Sequence, residues 1–178
     1  MRSVIKCPYY YFDSVIPDQM CDLIVELGQS KQQNIAGINT ENEKDDMRQG
    51  HVAWIHEEWV QELIEIYAKK ASEDAKWHFN IDSKEHIQFA TYKNNDYYDY
   101  HRDCDQNLEP YRKISVSVQL SDPNDYEGGD LKIKHLWGKM DLPMDLRIKN
   151  KGTIIVFPSV LLHTVTPVTK GIRHSLVQ

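Results

Sequence analysis

The feature that most constrains the fold is a change of hydrophobic period near residue 85. Before it, apolar residues recur at helical spacing; after it, short apolar runs alternate with polar residues and turn signals. The run at 114–119, ISVSVQ, alternates apolar and polar side chains, which is typical of a strand with one buried face. Two helices followed by seven or eight short strands indicate an α+β protein, a sandwich or barrel of strands with helices packed on one outer face.

The hydrophobic pattern also predicts where the individual elements lie. One helix begins at Pro17 and Asp18 and ends at Gly28, and a second spans about 57–73, with Trp59 and Tyr67 as core or sheet-packing residues. We interpret 29–50 as a solvated loop that lies near the substrate and 122–130 as a turn. The predicted strands are 4–12, 85–92, 114–119, 131–134, 152–157, 163–168 and 172–177, with a possible short strand at 146–148.

Length and composition favour one domain over residues 1–178, with a helical part at about 1–80 and a strand-rich core at about 85–178. A net charge of -6 argues against a general nucleic-acid binder, because the phosphate backbone is bound by clustered Lys and Arg. No apolar run approaches the roughly 20 residues that span a bilayer, and the first residues lack the apolar core of a signal peptide. We therefore expect a cytoplasmic protein with no membrane partner.

The stretch Tyr97–Asp103, YYDYHRD, places His101 and Asp103 two residues apart. On an extended strand this spacing puts both side chains on the same face, so both reach one metal ion. The pair alone is a weak signal, and it becomes specific with His163 and Arg173 further along the chain. Two imidazoles and one carboxylate on one side of an ion suit a non-haem Fe(II) oxygenase.

The spacing of these residues resembles that of a known family. Tyr92, Tyr98 and His101 stand in the arrangement Y-x5-Y-x2-H, directly before Asp103, and His163 follows further along the chain. Together with the arginine ten residues after that histidine, this set resembles the Fe(II)- and 2-oxoglutarate-dependent dioxygenases, in particular the prolyl 4-hydroxylase-like branch. The resemblance covers roughly residues 85–178 and implies a double-stranded β-helix, a jelly roll whose open mouth holds the metal.

The resemblance also implies a set of roles. Fe(II) would be bound by His101, Asp103 and His163, with 2-oxoglutarate and O2 as co-substrates, ascorbate as a possible reductant and no catalytic side chain beyond the metal ligands. Arg173 would pair with the distal carboxylate of 2-oxoglutarate, and its planar fork of donors suits a carboxylate on physical grounds as well. The remaining expected contacts are Ser175, Tyr92 and Gln119 for the co-substrate, and Tyr98 and Trp137 for the prime substrate.

Two departures from the family pattern are visible. Asn95 stands where a glycine is often found between the two tyrosines, and some members carry a lysine where this chain has Arg173. The other six of the eight histidines we interpret as structural or surface residues.

The sequence leaves the prime substrate open. The resemblance makes a prolyl residue in a peptide or protein the leading substrate, and a free amino acid or small metabolite is the alternative. Two further classes are a cupin-type metalloprotein that does not use 2-oxoglutarate and a non-catalytic binding module. Loops 29–50 and 135–145 are expected to shape specificity.

Overall fold

A computed structural model describes residues 7–36, 47–104, 111–135 and 140–178. The predicted substrate contact Trp137 lies outside the described residues. The helices are α1 (Asp18–Ser30) and α2 (Glu58–Asp74), with a short 3-10 helix at Leu146–Lys149. The described strands are β1 (Tyr10–Phe12), β2 (Asn34–Ile35), β3 (Arg48–Gln49), β4 (His51–Ile55), β5 (Ile87–Lys93), β6 (Tyr97–His101), β7 (Ile114–Gln119), β8 (Tyr126–Gly128), β9 (Leu131–Ile133), β10 (Ile154–Pro158), β11 (His163–Val165) and β12 (Val168–Val177).

The described strands form two antiparallel sheets. The larger has the order β1-β10-β7-β12-β5-β4-β2, with β8 paired to the first part of β12, and the smaller has the order β3-β6-β11-β9. Apart from the antiparallel pair β4 and β5, consecutive described strands lie in different sheets or are not neighbours in one sheet, so the order is that of a jelly roll rather than of a simple meander.

The larger sheet separates two apolar layers because successive side chains of a strand point to opposite faces. On its outer face, Phe89, Val118 and Leu176 pack with Ile24 of α1 and Ile64 of α2. On its inner face, residues of β4, β5, β10 and β12 pack against residues of β9 and β11 in the smaller sheet. The predicted arrangement, with N-terminal helices on one outer face of the strands, is confirmed.

Helix α1 begins after Pro17, whose fixed φ suits a helix start, but it does not end at Gly28 as predicted. It runs on to Ser30, and Gly28 is buried inside it. A Cβ added at Gly28 would lie 2.3 Å from Cγ of Phe89. The glycine therefore allows the helix to approach the sheet, and its sequence signal was mistaken for a helix stop.

Helix α2 matches the prediction closely, but Trp59 is 44% exposed and is not a core residue. The buried positions of α2 are Val60, Ile64, Ala68, Ala71 and Ser72, and Trp59 lies one residue to the side of this stripe. Tyr67 packs as expected, with its ring centroid 4.9 Å from that of Phe12.

The possible strand at 146–148 is wrong, because these residues form the 3-10 helix. Asp145 caps it: its carboxylate accepts hydrogen bonds from the backbone N–H and from Nε of Arg147, both at 3.0 Å. A side-chain carboxylate that accepts from the backbone N–H two residues on favours a turn over an extended strand.

Several strands differ from their predicted bounds. The last strand begins at Val168 rather than at 172, and the preceding one ends at Val165 rather than at 168. The predicted turn at 122–130 contains β8, with Gly128 and Gly129 at positive φ. The predicted loop 29–50 contains β2 and β3, and β4 was not predicted at all.

Among the described residues, neither helix combines the length and the apolar character needed to span a bilayer.

Candidate metal centre

Three of the predicted residues meet at one point of the fold. One ligand atom from each of His101, Asp103 and His163 lies within 4.8 Å of the other two. The Nε2 atom of His101 is 3.5 Å from Oδ1 of Asp103, and Nε2 of His163 is 3.4 Å from Oδ2. Two imidazole nitrogens and one carboxylate converge on a common position, as one metal ion with open coordination positions requires.

The two smaller-sheet strands β6 and β11 place the histidines. His101 is the last residue of β6 and His163 the first of β11, and the two are directly opposite in the antiparallel register. Asp103 lies just beyond the end of β6 rather than within a strand. The backbone N–H of Cys104 donates to the carbonyl of Ser159 at 3.2 Å, and this bond fixes the loop that carries the carboxylate.

Backbone carbonyls determine how both imidazoles are presented. Nδ1 of His101 lies 2.8 Å from the carbonyl oxygen of Asp99, and Nδ1 of His163 lies 3.0 Å from that of Leu161. A carbonyl only accepts, so each Nδ1 carries the proton and each Nε2 keeps its lone pair. This arrangement is usual for histidines that bind metals, whose second nitrogen donates to a backbone oxygen.

Asp103 is held ready as an anionic ligand. Burial would raise the pKa of its carboxyl, but the contact with His101, the nearby His163 and a hydrogen bond from Ser115 together keep that pKa below its ordinary value. The Ser115 hydroxyl donates to Oδ2 of Asp103 at 2.5 Å, and Ser115 Oγ also lies 2.9 Å from Oγ of Ser159.

His163 is held as a neutral imidazole, the form that binds a metal. Burial lowers its pKa more than the negative charge of Asp103 raises it. The Phe157 ring supplies part of that apolar cover, with its centroid 4.7 Å from that of the imidazole. The site thus pairs an ionised Asp103 with a neutral His163 before any ion arrives.

Arg173 on β12 is the second notable feature of the site, since it is a charged side chain that is only 1% exposed. Its Nη1 donates to Oγ of Ser175 at 3.1 Å, and its Nη2 donates to Oε1 of Gln119 at 2.9 Å. The Nε–H is buried without a hydrogen-bond partner. In the described part of the chain no carboxylate forms an ion pair with this guanidinium.

The strand register explains why these polar residues cluster around Arg173. Tyr92 of β5 lies directly opposite Arg173, and Gln119 of β7 lies directly opposite Ser175. The guanidinium carbon is 5.7 Å from the centroid of the Tyr92 ring. All four side chains project to the inner face of the larger sheet, towards the smaller sheet that carries the histidines.

One cavity of about 270 Å³ joins the two features. The residues that line it include the His101, Asp103 and His163 set together with Arg173. Ser175, Tyr92 and Tyr98 also line it, whereas Gln119 does not and contacts Arg173 instead. Gln119 is therefore placed to orient Arg173 rather than to touch a molecule in the cavity.

Tyr98 lies against the candidate metal ligands. Its ring stacks on the imidazole of His101 with centroids 3.5 Å apart, and the guanidinium carbon of Arg48 is 4.6 Å from the Tyr98 ring centroid. Arg48 also donates from Nη1 to Oε1 of Gln88 at 3.1 Å and lines the cavity. This second arginine lies in the segment that the sequence indicated only as a loop near the substrate.

Sequence reasoning missed Arg48 and Ser115. The alternation of 114–119 was interpreted as one buried and one solvated face, yet Val116 and Val118 face the helices while Ser115 and Ser117 line the cavity. A strand whose polar residues are all small or amides, with no Lys or Glu, was the available signal for a polar interior.

A family model agrees with this geometry. The model for the 2OG-Fe(II) oxygenase superfamily matches residues 87–178. Over 90 residues the chain is 33% identical to the PKHD-type hydroxylase YbiX of Escherichia coli, and the same figures hold for YbiX of Escherichia fergusonii. The match covers 48% of this chain and spans only 38% of the length of those relatives.

Solved structures resemble almost the whole chain. A prolyl-4-hydroxylase from Pseudomonas putida has a TM-score of 0.70 at 17% identity, over 97% of this chain and 91% of that one. The viral collagen prolyl hydroxylase of Paramecium bursaria Chlorella virus-1, as a 2OG complex, has a TM-score of 0.68 at 22% identity, over 97% and 95%. A Trichoplax adhaerens prolyl hydroxylase bound to a peptide fragment has a TM-score of 0.68 at 15% identity, over 96% and 81%. At these identities the likeness establishes the fold, and the predicted jelly roll is confirmed.

Proposed function

Because this chain belongs to the 2OG-Fe(II) oxygenase superfamily, we propose that it hydroxylates an unactivated C–H bond of a prolyl residue in a peptide or protein, using Fe(II), O2 and 2-oxoglutarate. Membership of the family makes the protein an oxidoreductase of this class and implies the metal and the co-substrate. The residues that would bind them, and the prime substrate, are the proposal.

The residues present fit an Fe(II) ion. We assign His101, Asp103 and His163 as its ligands, because two Nε2 lone pairs and an ionised carboxylate converge while both Nδ1 atoms are already engaged by carbonyls. Bound iron, with O2 and 2-oxoglutarate, supplies the oxidant for the C–H bond. The protein holds Asp103 ionised and His163 neutral, and it keeps bulk water out with a buried wall that includes Phe157.

The observation that carries the proposal is the buried, unpaired charge of Arg173. A guanidinium that is 1% exposed and lacks a carboxylate partner among the described residues is costly to bury unless an anion arrives. Ser175 and Gln119 hold its two Nη atoms, and the Nε–H is left without a partner. We infer that the distal carboxylate of 2-oxoglutarate provides the missing charge, with Ser175 and Tyr92 as neighbouring contacts.

Binding of 2-oxoglutarate to the metal-loaded protein tests this role. We expect calorimetry without O2 to show saturable binding that falls at least tenfold in Arg173→Met, since the ion pair is lost in a dry site. Arg173→Lys keeps the charge and should retain more affinity than the methionine variant. Equal affinity in all three proteins would show that Arg173 does not contact 2-oxoglutarate, and no binding in any of them would favour a cupin-type metalloprotein that does not use 2-oxoglutarate.

The structural neighbours support a peptidyl prolyl substrate. All three are prolyl hydroxylases, and the Trichoplax protein is in complex with a peptide fragment. Tyr98 and Trp54, which is 42% exposed, both line the cavity, and two aromatic rings in its wall suit the pyrrolidine ring of proline. Proline-containing peptides should therefore raise the rate of succinate formation above the rate with 2-oxoglutarate alone.

One observation favours the alternative substrate class, a free amino acid or a small acidic metabolite. Arg48 lies in the cavity on the metal side, its Nε–H is buried without a hydrogen-bond partner, and no carboxylate of the described residues pairs with it. Arg48 stacks on Tyr98, which in turn stacks on the proposed metal ligand His101. A second guanidinium without an ion pair among the described residues, so near the candidate metal site, suits a carboxylate on the prime substrate.

A substrate panel separates the two classes. Under the alternative, a free amino acid should stimulate succinate formation, its methyl ester should not, and Arg48→Gln should raise the KM for the acid at least tenfold. Under the peptidyl reading, an internal proline flanked by blocked termini should stimulate as well as one with free termini. Failure of the whole panel, with 2-oxoglutarate binding intact, would favour a non-catalytic binding module.

A further inference from the structure

Two histidines outside the candidate iron site form a close pair on the rim of the cavity. Nδ1 of His56 lies 3.3 Å from Nδ1 of His86, and the ring centroids are 4.7 Å apart. Both side chains are exposed. His86 lines the cavity together with Trp54, whose ring centroid is 6.4 Å from that of His86.

The pair is a product of strand register. In the antiparallel ladder of β4 and β5, Trp54 is opposite Gln88 and Ile55 is opposite Ile87. The next step beyond the ladder sets His56 opposite His86, on the same face as Trp54. Residues directly opposite on one sheet face have Cβ atoms about 4.5–5.5 Å apart, so two imidazoles there meet without any backbone change.

We propose that His56 and His86 form a second metal site, which takes a Zn²⁺ ion through their Nδ1 atoms. Zinc binds imidazole nitrogen at about 2.0–2.1 Å in tetrahedral geometry, which places two ligand nitrogens about 3.3 Å apart. The observed Nδ1–Nδ1 separation of 3.3 Å matches this value. The two remaining coordination positions face solvent and are filled by water.

The two neighbouring glutamates are already engaged in ion pairs, so only the two histidines are available as protein ligands. Glu57, next to His56, forms an ion pair with Lys31, and Glu85, next to His86, forms a bidentate pair with Arg112. Imidazole ligands favour zinc over ferrous iron in the usual order of divalent affinities. The site formed by His56 and His86, here called the rim site, should therefore prefer zinc to the Fe(II) that the family requires. It shares no ligand with the candidate iron site.

Zinc titration of the metal-free protein at pH 7.5 tests the site. We expect His86→Asn to bind one zinc ion fewer per chain than wild type, by calorimetry. His78→Asn is the matched control, since His78 is an exposed histidine at a positive φ that asparagine tolerates, and it should bind as many ions as wild type. Equal stoichiometry in wild type and His86→Asn would overturn the proposal.

A second background separates this site from the candidate iron centre. In His101→Ala, which removes a triad ligand, one zinc ion should still bind and should shift the imidazole resonances of His56 and His86 together in NMR spectra. Adding His56→Asn should abolish that shift. His86→Asn should bind one zinc ion fewer whether or not His101, Asp103 and His163 bind metal. Failure of the rim site can therefore be distinguished from failure of the proposed oxygenase. Shifts confined to other histidines would contradict the assignment.

Discussion

The Ser115 hydroxyl donates a 2.5 Å hydrogen bond to Oδ2 of Asp103, and this bond ties the central strand β7 to the candidate metal centre. Asp103 lies in a loop beyond β6, so the strand that carries Ser115 supplies a second anchor for the carboxylate besides the backbone bond of Cys104. Burial raises the pKa of Asp103. The bond from Ser115, together with the contacts of His101 and His163, outweighs burial and keeps that pKa below its ordinary value.

Ser115→Ala should therefore weaken metal binding while leaving the fold intact. Loss of a hydrogen bond that orients a metal ligand usually costs about 10–100-fold in metal affinity, and we expect a loss in that range. Competition with a chelator of known affinity measures it. Ser117→Ala, two residues further along the same inner face, is the control, and its metal affinity should stay within twofold of wild type. A wild-type affinity in Ser115→Ala would show that Asp103 is positioned without this bond.

Gly129 should affect the co-substrate and not the metal. It has a positive φ of 61°, and a Cβ there would lie 2.8 Å from Cδ of Arg173. We expect Gly129→Ala to displace the arginine and to lower the affinity for 2-oxoglutarate at least tenfold, with metal affinity unchanged. The two binding constants, measured on one preparation, form an internal control. A fall in both would point to general unfolding instead.

His174 should make stability depend on pH. Burial, with smaller effects of Arg173 and Lys93, lowers the pKa of His174 to about 4, while its imidazole stacks on Phe89 at 5.1 Å. As the pH falls below the ordinary value of about 6.5, the unfolded chain takes up this proton before the folded one does. The free energy of unfolding should thus decrease as the pH falls from 6.5 towards 4.

His174→Leu removes that titration and keeps an apolar contact with Phe89. Between pH 7 and 4.5, wild type should lose more of its free energy of unfolding than this variant, as measured by urea denaturation of metal-free protein. Every other titratable group is the same in both proteins, so its contribution cancels in the comparison. Parallel losses would mean that His174 is not held in its neutral form.

Gly28→Ala tests the close approach of α1 to the sheet. Alanine normally stabilises a helix interior relative to glycine by roughly 0.5–1 kcal/mol. Here the added Cβ would lie 2.3 Å from Cγ of the buried Phe89, so we expect net destabilisation of about 1–3 kcal/mol. Glu26→Ala, on the exposed side of the same helix, should change stability by less than about 0.5 kcal/mol. Stabilisation by Gly28→Ala would refute this packing.

The residues of the candidate site could be singled out from the sequence because their types are restrictive. Few side chains bind iron or pair with a buried carboxylate, and the order of His101, Asp103, His163 and Arg173 is specific as a set. Long periodic segments such as α2 were also predictable, since an apolar stripe at helical spacing has few other uses. The number and shortness of the strands predicted a sandwich or barrel, and the resemblance to the dioxygenase family implied the jelly roll.

Tertiary contacts explain what was not predicted. A glycine such as Gly28 can either end a helix or permit a close contact with Phe89, and the sequence alone does not distinguish the two. Strand β3 has two polar residues, and its extended form depends on pairing with β6 rather than on its own propensity. Ser115 looked solvated because alternation alone does not reveal whether the polar face meets water or an enclosed cavity.

Turnover of 2-oxoglutarate tests the central claim most directly. Succinate should form in the presence of Fe(II), O2 and ascorbate, even without a prime substrate, and a proline peptide or an amino acid from the panel should accelerate it. His101→Ala should abolish this succinate formation, and Arg173→Met should raise the KM for 2-oxoglutarate at least tenfold. Iron-loaded wild-type protein that neither binds 2-oxoglutarate nor forms succinate would contradict the account.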